Sequence, residues 1–182
     1  MTSLDKQGLH RLLAVVIPNA SGKTTLCQHL RQYQQVQAQE HYFMDIDEFA
    51  ETYPDITALI QNETTKTLQL FPRLKEDIYQ AILKNPQTTV VIITSNVNFV
   101  DFLQIKPKRV RVFVPTVDLY VHTIVPGIFS EEKEVYNPDK LAPLLASREM
   151  ILRKYATTVK LYSTFSELQD LFVKTFDLAR KV

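Results

Sequence analysis

The chain has 182 residues, of which 45% are hydrophobic and 23% are charged, a composition typical of a globular protein with one core. Its formal net charge of +1 excludes a general electrostatic attraction to duplex nucleic acid or to an acidic membrane. A single cysteine, Cys27, excludes an internal disulfide, and no apolar run approaches the length of a membrane span. The first residues also lack the order of a signal peptide. We therefore expect one domain, residues 1–182, in the cytoplasm.

The first predicted elements are a strand, a tight polar loop and a helix. The strand is the apolar run 12–16, and apolar residues at helical spacing follow at Leu26, Cys27, Leu30 and Tyr33. Between them stands Ile17-Pro18-Asn19-Ala20-Ser21-Gly22-Lys23-Thr24, followed by Thr25. This run matches the phosphate-loop pattern G-x-x-x-x-G-K-[ST] except at its first position. The context suits the pattern, because backbone N–H groups and the helix N-terminus then converge on phosphate oxygens.

The residues expected to bind the phosphates of a nucleotide are Asn19, Ala20, Ser21, Gly22, Lys23, Thr24 and Thr25. Gly22 lets the main chain approach an anion closely, Lys23 can reach the outer phosphates, and Thr24 can offer its hydroxyl to a magnesium ion. Ile17 stands where the pattern has glycine, and a β-branched residue does not easily take positive φ, so the turn into the loop must differ. The alternative is that this run is merely a helix start with a lysine.

An aromatic strand with acidic residues at its end comes next, in the run His41-Tyr42-Phe43-Met44-Asp45-Ile46-Asp47-Glu48-Phe49. In open α/β sheets, ligands bind beyond the carboxyl ends of the strands. Asp45 and Asp47 are therefore candidates for chemistry. The alternative is that the two residues cap the next helix.

The middle of the chain predicts a helix and a buried strand. The helix has Leu74, Ile78, Ala81 and Ile82 on one face and stops at Pro86, after a shorter predicted helix over 54–60. The β-branched run 88–95 predicts a strand buried on both faces in the middle of the sheet. Its polar end, 94–98, lacks the aspartate that many phosphate-loop enzymes place there for magnesium.

Beyond residue 100 we expect a basic turn, a strand, a short helix over 117–125 and an acidic irregular lid over 126–137. The basic cluster consists of Lys106, Lys108, Arg109 and Arg111. Such a cluster is more often solvated, and the alternative is contact with a phosphate backbone.

The longest predicted helix starts at Asn137-Pro138 and places Arg148 in the middle of an apolar face. That face is expected to consist of Leu141, Leu144, Leu145, Leu152 and Tyr155. The Arg148 side chain either extends past the face to solvent or points over the end of the sheet at a phosphate. A strand over 159–162 follows, and Ser166 with Gln169 is expected to form the capping box of a terminal helix. The helix is predicted from Leu168, Leu171, Phe172 and Phe176.

Five strands separated by helices predict right-handed crossovers and a mostly parallel five-stranded sheet in a three-layer α/β fold. With its phosphate loop, the chain resembles the P-loop kinases, which have the P-loop NTPase fold, and among them the kinase domain of phage-type 5′-polynucleotide kinase. The matching runs are 47–49 after Tyr42-Phe43, 94–98, 112–115 and Asp118-Leu119. The chain departs from this family at Ala50 and at Ser95. It also lacks the family's lid arginines at 121–123, and the next arginine after this region is Arg148.

The resemblance implies transfer of the γ-phosphate of ATP, or another nucleoside triphosphate, to the 5′-hydroxyl of a polynucleotide. Lys23 and the loop amides would hold the donor, and Thr24 would bind Mg²⁺, with Asp45 acting through water. Asp47 would accept the proton of the acceptor hydroxyl, and Arg148 would bridge the transferring phosphate. The lid arginines could be replaced by His122, Lys133 or Lys140.

Two other functions stay open at this point. One is a nucleoside or nucleoside monophosphate kinase, because those enzymes share the sheet and the loop. The other is a catalytically weak nucleotide-binding module of a larger protein. In each case the expected partners are a nucleoside triphosphate and a nucleic-acid, nucleoside or nucleotide acceptor, and no membrane.

Overall fold

The computed structural model describes residues 9–18, 26, 30, 41–46, 69–120 and 138–176. The strands are β1 (Leu12–Val16), β2 (His41–Asp45), β3 (Thr89–Thr94), β4 (Val110–Pro115) and β5 (Val159–Tyr162). The helices are α1 (Phe71–Lys84), α2 (Val97–Phe102), the single turn α3 (Val117–Leu119), α4 (Pro138–Lys154) and α5 (Phe165–Thr175). Short 3-10 turns precede β1 at Leu9–Arg11 and β4 at Pro107–Arg109.

The described strands form a mostly parallel five-stranded sheet with the order β2-β3-β1-β4-β5, which confirms the predicted α/β fold. β2 pairs with β3 in parallel, with Asp45 opposite Ile93, and β4 pairs with β5 in parallel, with Pro115 opposite Tyr162. The burial of β3 is confirmed, since its residues from Val90 to Thr94 are buried. Its expected place in the middle of the sheet is wrong, because β1 occupies that place. A hydrophobic run indicates that a strand is buried on both faces, and this holds for β1 as well as for β3. It does not determine the order of the strands in the sheet.

The chain divides into two compact units, the first of residues 1–15 and 34–110 and the second of residues 16–33 and 111–182. In the first unit, α1 buries the predicted residues Leu74, Ile78, Ala81 and Ile82 together with Phe71. The helix ends at Lys84, just before Pro86, as predicted. Arg11 satisfies carbonyls at this helix end by donating to Asn85 O at 2.7 Å and to Ile82 O at 3.0 Å.

The polar end of β3 starts a helix, α2, that the sequence patterns did not predict. Asn96 is its N-cap, and its Oδ1 accepts a hydrogen bond from Phe99 N at 3.2 Å. Thr94 Oγ1 accepts another from Asn96 N at 3.0 Å. The Phe99 ring packs against Phe71 at 5.1 Å between centroids, so α2 contributes to the core of this unit.

In the second unit, α5 begins at Phe165 and its N-cap is Thr164. Thr164 Oγ1 accepts from Glu167 N at 3.1 Å, while Glu167 Oε2 accepts from Ser163 N at 2.6 Å. The predicted capping box of Ser166 and Gln169 is therefore wrong. The chain carries the same residue spacing twice, and the earlier pair, Thr164 and Glu167, is the one at the end of β5. The helix still buries Leu168 and Phe172, as its periodicity predicts.

Helix α4 begins at Pro138 as predicted, but its buried face is rotated from the expected one. Ile151 is fully buried, whereas Leu145 is 37% exposed. At about 100° per residue these two side chains lie about 60° to either side of Arg148. Among the described side chains of α4, the core therefore lies toward Ile151 and Arg148, while Leu141 and Leu144 lie outside the described side chains.

Several predicted elements lie outside the described residues. These are the short helix over 54–60, the part of the predicted 117–125 helix beyond Tyr120, and the lid over 126–137. None of the helices in the described ranges is both long and apolar enough to span a bilayer.

Candidate functional site

The predicted phosphate loop is flanked by the elements that it requires. β1 ends at Val16, and Leu26 and Leu30 beyond the loop are helical and buried. The strand before the loop is therefore confirmed, and the two described residues after the loop are helical, as the predicted order requires. The loop residues 19–25, including Lys23 and Thr24, lie outside the described residues, so their roles stay predictions.

Ile17, which replaces the first glycine of the pattern, is a core residue. Its side chain is fully buried, directly after β1. Among the described non-glycine residues only Gln104 has positive φ, so Ile17 does not use the backbone freedom that glycine provides. The chain therefore leaves β1 with an apolar side chain in the core at Ile17. That the turn into the loop differs from the usual one stays a prediction.

In the first unit, buried polar residues stand at the carboxyl ends of β2 and β3. Asp45 is the last residue of β2 and is 5% exposed, and Thr94 and Ser95 at the end of β3 are also buried. These groups are held by the protein: Thr94 accepts a hydrogen bond, and Asp45 and Ser95 interact with other residues. Asp47 lies outside the described residues, so its assignment as the base stays a prediction.

Asp45 is the described residue that we expected to help hold magnesium. The described ranges contain no group of three or more His, Cys, Asp or Glu side chains placed to hold a metal ion. Mg²⁺ in phosphoryl-transfer sites is commonly bound by one or two carboxylates together with substrate phosphates and water. A single carboxylate at the end of a strand fits that manner of binding, and the role of Asp45 stays a prediction.

In the second unit, Arg148 reaches from α4 to the carboxyl end of β4. Its side chain is 9% exposed, so it does not extend to solvent. Nη2 donates to Pro115 O at 3.2 Å, and Nη1 donates to Glu149 Oε1 at 3.5 Å. This position agrees with the interpretation in which the Arg148 side chain lies over the end of a strand rather than extending to solvent. A contact with phosphate stays a prediction.

Tyr120, which the sequence patterns did not single out, is buried in the same unit, with 1% of its surface exposed. The turn that carries it is fixed, because Thr116 N donates to Tyr162 O at 2.9 Å and Tyr120 N donates to Thr116 O at 3.0 Å. Burial raises the pKa of Tyr120, and the nearby charge of Arg148 opposes this with a smaller effect. The phenol is therefore protonated at neutral pH. The signal for it was a tyrosine just beyond the end of a buried strand.

Two polar atoms of these side chains have no hydrogen-bond partner. Within the described ranges, Tyr120 Oη and Arg148 Nε are the buried side-chain nitrogen and oxygen atoms in this state. A buried polar group without a partner costs about 1–3 kcal/mol of stability. Such exceptions in a folded protein call for an explanation, and a bound ligand is one.

The basic cluster before β4 is partly structural. Arg109 Nε donates to Leu12 O at 2.9 Å, which ties the 3-10 turn to the start of β1. Lys106, Lys108 and Arg111 are exposed. This agrees with the interpretation of a solvated cluster for those three residues.

Of the comparisons with known proteins, the one with solved structures shows the fold. No family model matches the chain, and the comparison with curated proteins gives no match. Among solved structures, the tunicamycin resistance protein of Deinococcus radiodurans is similar over 92% of this chain and 96% of its own, with 13% identity and a TM-score of 0.58. A sugar kinase from a Janibacter species is similar over 93% of this chain and 95% of its own, with 16% identity and a TM-score of 0.54. The chain thus shares its α/β fold with these two structures.

Proposed function

We propose that the protein is an ATP-dependent phosphotransferase of the P-loop kinase type, which transfers the γ-phosphate of ATP to a hydroxyl group. One observation carries the proposal. The residues Ser21-Gly22-Lys23-Thr24 stand between the buried strand β1 and the helical, buried Leu26, in a fold that a sugar kinase also adopts. A phosphate loop needs this order of elements, because its amides must converge on one anion.

Each expected role follows from the chemistry of phosphoryl transfer. Lys23 and the loop amides neutralise the donor phosphates, while Thr24 and Asp45 hold Mg²⁺. Asp47 accepts the proton of the acceptor hydroxyl, which makes the oxygen a better nucleophile. Arg148 balances the charge that spreads over the transferring phosphoryl group.

For the acceptor we propose a small molecule with a free hydroxyl. This choice is supported by the similarity of the whole chain to a structure described as a sugar kinase. It is also consistent with the net charge of +1, which gives no general attraction to a polyanion. Nucleosides and nucleoside monophosphates belong to this class of small acceptors.

A polynucleotide 5′-hydroxyl is the second candidate acceptor. The resemblance to phage-type polynucleotide kinase suggests it, and the exposed Lys106, Lys108 and Arg111 offer positive charge for a phosphate backbone. If the acceptor is a polynucleotide, replacing these three residues with alanine should weaken acceptor binding and reduce its salt dependence. If the acceptor is small, the triple variant should keep its KM.

The decisive experiment measures nucleotide binding and phosphoryl transfer on the same samples. ATP with Mg²⁺ should raise the melting temperature of the wild type, and Lys23→Ala should abolish that shift. Asp47→Asn should keep the shift but lower transfer by about a hundredfold or more, since only proton transfer is lost. Lys84→Ala, an exposed lysine at the end of α1, is the matched control and should behave as the wild type.

The result also separates the competing functions. Transfer to sugars or nucleosides, and not to a 5′-hydroxyl oligonucleotide, supports the small acceptor, and the opposite pattern supports a polynucleotide. Nucleotide binding without transfer to any member of the panel supports a nucleotide-binding module. A melting temperature that neither ATP nor GTP changes would overturn the whole proposal.

A further inference from the structure

Three segments of the first unit meet at the start of β1. Arg11, directly before β1, donates to Asn85 O at 2.7 Å and to Ile82 O at 3.0 Å, both at the end of α1. Arg109 Nε donates to Leu12 O at 2.9 Å, which brings the 3-10 turn before β4 to the same place. These hydrogen bonds therefore hold the end of α1 and the 3-10 turn next to the start of β1.

The basic side chains of these three segments form one surface, which we call the basic surface. It consists of His10, Arg11, Lys84, Lys106, Lys108 and Arg109. His10 and the three lysines are exposed, whereas the two arginines are partly buried. From Asn85 to Val117 the sequence has one acidic residue, Asp101, which interacts with other residues. The described part of this surface is therefore positive, although the net charge of the chain is only +1.

Much of the charge on the basic surface is not balanced by carboxylates. Arg11 donates to two backbone carbonyls, which carry no net charge. In the described part of the chain, Lys84 and Lys106 form no ion pair. Lys108 and Arg109 interact with other residues, so their groups are partly used by the protein. Exposed positive charges without carboxylate partners attract a negatively charged ligand.

The composition of the basic surface favours nucleic acid over a protein or a membrane as the ligand. Protein partners are held mainly by buried apolar and aromatic anchors, and a membrane surface needs apolar side chains that enter the lipid. Beside this surface the described chain exposes one large hydrophobic residue, Leu83, at 49%, which provides little of either. The phosphate backbone of nucleic acid binds through charge alone, because each neutralised phosphate releases counterions.

We propose that the basic surface binds the phosphate backbone of double-stranded nucleic acid without reading its sequence. None of its six residues is a phenylalanine, tyrosine or tryptophan, on which the bases of a single strand could stack. The exposed lysines are flexible point charges, so they can follow the phosphates of any sequence. The hydrogen bonds of the two arginines hold the three segments together, so the lysines project from fixed backbone positions.

The basic surface is distinct from the residues assigned to phosphoryl transfer. None of its six residues has a role in the proposed reaction, and the phosphate-loop motif follows the other end of β1. At about 3.3 Å per residue, the first and last Cα atoms of this five-residue strand lie about 13 Å apart. Binding of nucleic acid to the basic surface is therefore independent of the proposed kinase function.

The binding of a closed DNA dumbbell, measured by fluorescence anisotropy over a range of salt concentrations, tests this surface. A dumbbell is a duplex without ends, so it cannot bind as the acceptor or the product of transfer to a 5′-hydroxyl. The test variant removes the three exposed lysines of the basic surface, with Lys84→Ala, Lys106→Ala and Lys108→Ala.

The matched control removes three positive charges from exposed positions outside the basic surface, with Arg73→Ala, Arg153→Ala and Lys174→Ala. The test variant and the control therefore have the same net charge. At about 50 mM salt the test variant should bind the dumbbell about tenfold more weakly than the wild type, and the control should bind as the wild type does. The slope of log affinity against log salt should decrease in magnitude by about 2 to 3 in the test variant only, since each phosphate contact contributes about 0.9.

Three results would overturn the nucleic-acid surface. An equal loss of affinity in the test variant and the control would mean that only the net charge of the protein matters. The absence of dumbbell binding by the wild type at about 50 mM salt would show that the surface does not hold a duplex. Binding to phosphatidylserine vesicles in place of the dumbbell would assign the surface to a membrane.

Nucleotide binding separates this surface from the kinase proposal. ATP with Mg²⁺ should raise the melting temperature of the test variant as much as that of the wild type. If ATP binds and the dumbbell does not, the kinase proposal stands and the nucleic-acid surface is refuted. If the dumbbell binds through the three lysines and ATP does not bind, only the kinase proposal fails.

Discussion

Buried polar groups differ between two places in the molecule. The first place is the carboxyl ends of β2 and β3 in the first unit, and the second place is the carboxyl end of β4 in the second unit. At the first place, Thr94 Oγ1 accepts a hydrogen bond from Asn96 N, and Asp45 and Ser95 interact with neighbours. At the second place, Tyr120 Oη and Arg148 Nε are buried without hydrogen-bond partners. Both places are equally inaccessible to water, so the difference is not one of burial.

Some buried polar groups form hydrogen bonds that build the fold, whereas others are left by the fold without a hydrogen-bond partner. Thr94 orients the chain for the N-cap of α2, so its hydroxyl is needed for a local structure. The Tyr120 hydroxyl does nothing comparable, because backbone hydrogen bonds and the Thr116 side chain, which accepts from Leu119 N, fix its turn. A buried hydroxyl without a partner lowers the stability of the protein. Proteins tolerate this cost where the group binds a ligand, and functional sites commonly carry such costs.

The largest expected effect on stability comes from Thr94→Val, which keeps the shape of the side chain and removes the acceptor of Asn96 N. We expect the free energy of unfolding to fall by about 1–3 kcal/mol, because a partly buried N–H loses its partner. Urea denaturation of this variant beside Tyr120→Phe provides the measurement. A stability gain for Thr94→Val would remove the contrast between the two places.

A smaller effect is expected for Thr164→Ala, which removes a hydrogen-bonded cap in the second unit. The N-cap of α5 would lose its bond to Glu167 N, which costs about 1 kcal/mol. Ser166→Ala is the matched control, since Ser166 lies within the helix rather than at its cap. Thermal denaturation of both variants would show whether satisfied polar groups stabilise this unit too. Equal melting temperatures for the two variants would contradict the assignment of the cap.

The smallest expected effect is a pH dependence that distinguishes Tyr120 from the other tyrosines. Burial raises the pKa of Tyr120 in the folded protein, whereas the unfolded chain ionises near pH 10. Above about pH 10 the unfolded state therefore binds fewer protons than the folded state, and stability falls as pH rises. The melting temperature of Tyr120→Phe should exceed that of the wild type by a margin that grows from pH 8 to pH 11. A constant margin would mean that the phenol titrates normally.

Local patterns predicted the elements well where one segment decides its own structure. The periodicity of Leu74, Ile78 and Ile82 defined α1, and Pro138 marked the start of α4. The phosphate-loop motif was visible because its residues are contiguous. The cap of α5 was misassigned, since two overlapping spacings fit the same rule and only the end of β5 decides between them.

The candidate site was predicted in part for the same reason. Arg148 stood out as a charge on an apolar face, but the sequence could not tell whether it reaches solvent or a strand end. Tyr120 was not singled out, because a tyrosine just beyond the end of a strand does not reveal in the sequence whether its hydroxyl finds a hydrogen-bond partner. Helix α2 was missed because its cap, Asn96, is indistinguishable from a loop residue until the bond to Phe99 N forms.

By itself, the sequence of this protein determined all five strands and most of the helices, because hydrophobic period and turn chemistry act between residues close in the chain. For the same reason it determined that a strand precedes the phosphate-loop motif around Lys23. Only the tertiary structure decided that β1 rather than β3 lies at the centre of the sheet, that α4 turns Ile151 inward, and that Tyr120 Oη and Arg148 Nε are buried without hydrogen-bond partners. These outcomes depend on packing and desolvation between residues far apart in sequence, and no local pattern encodes them.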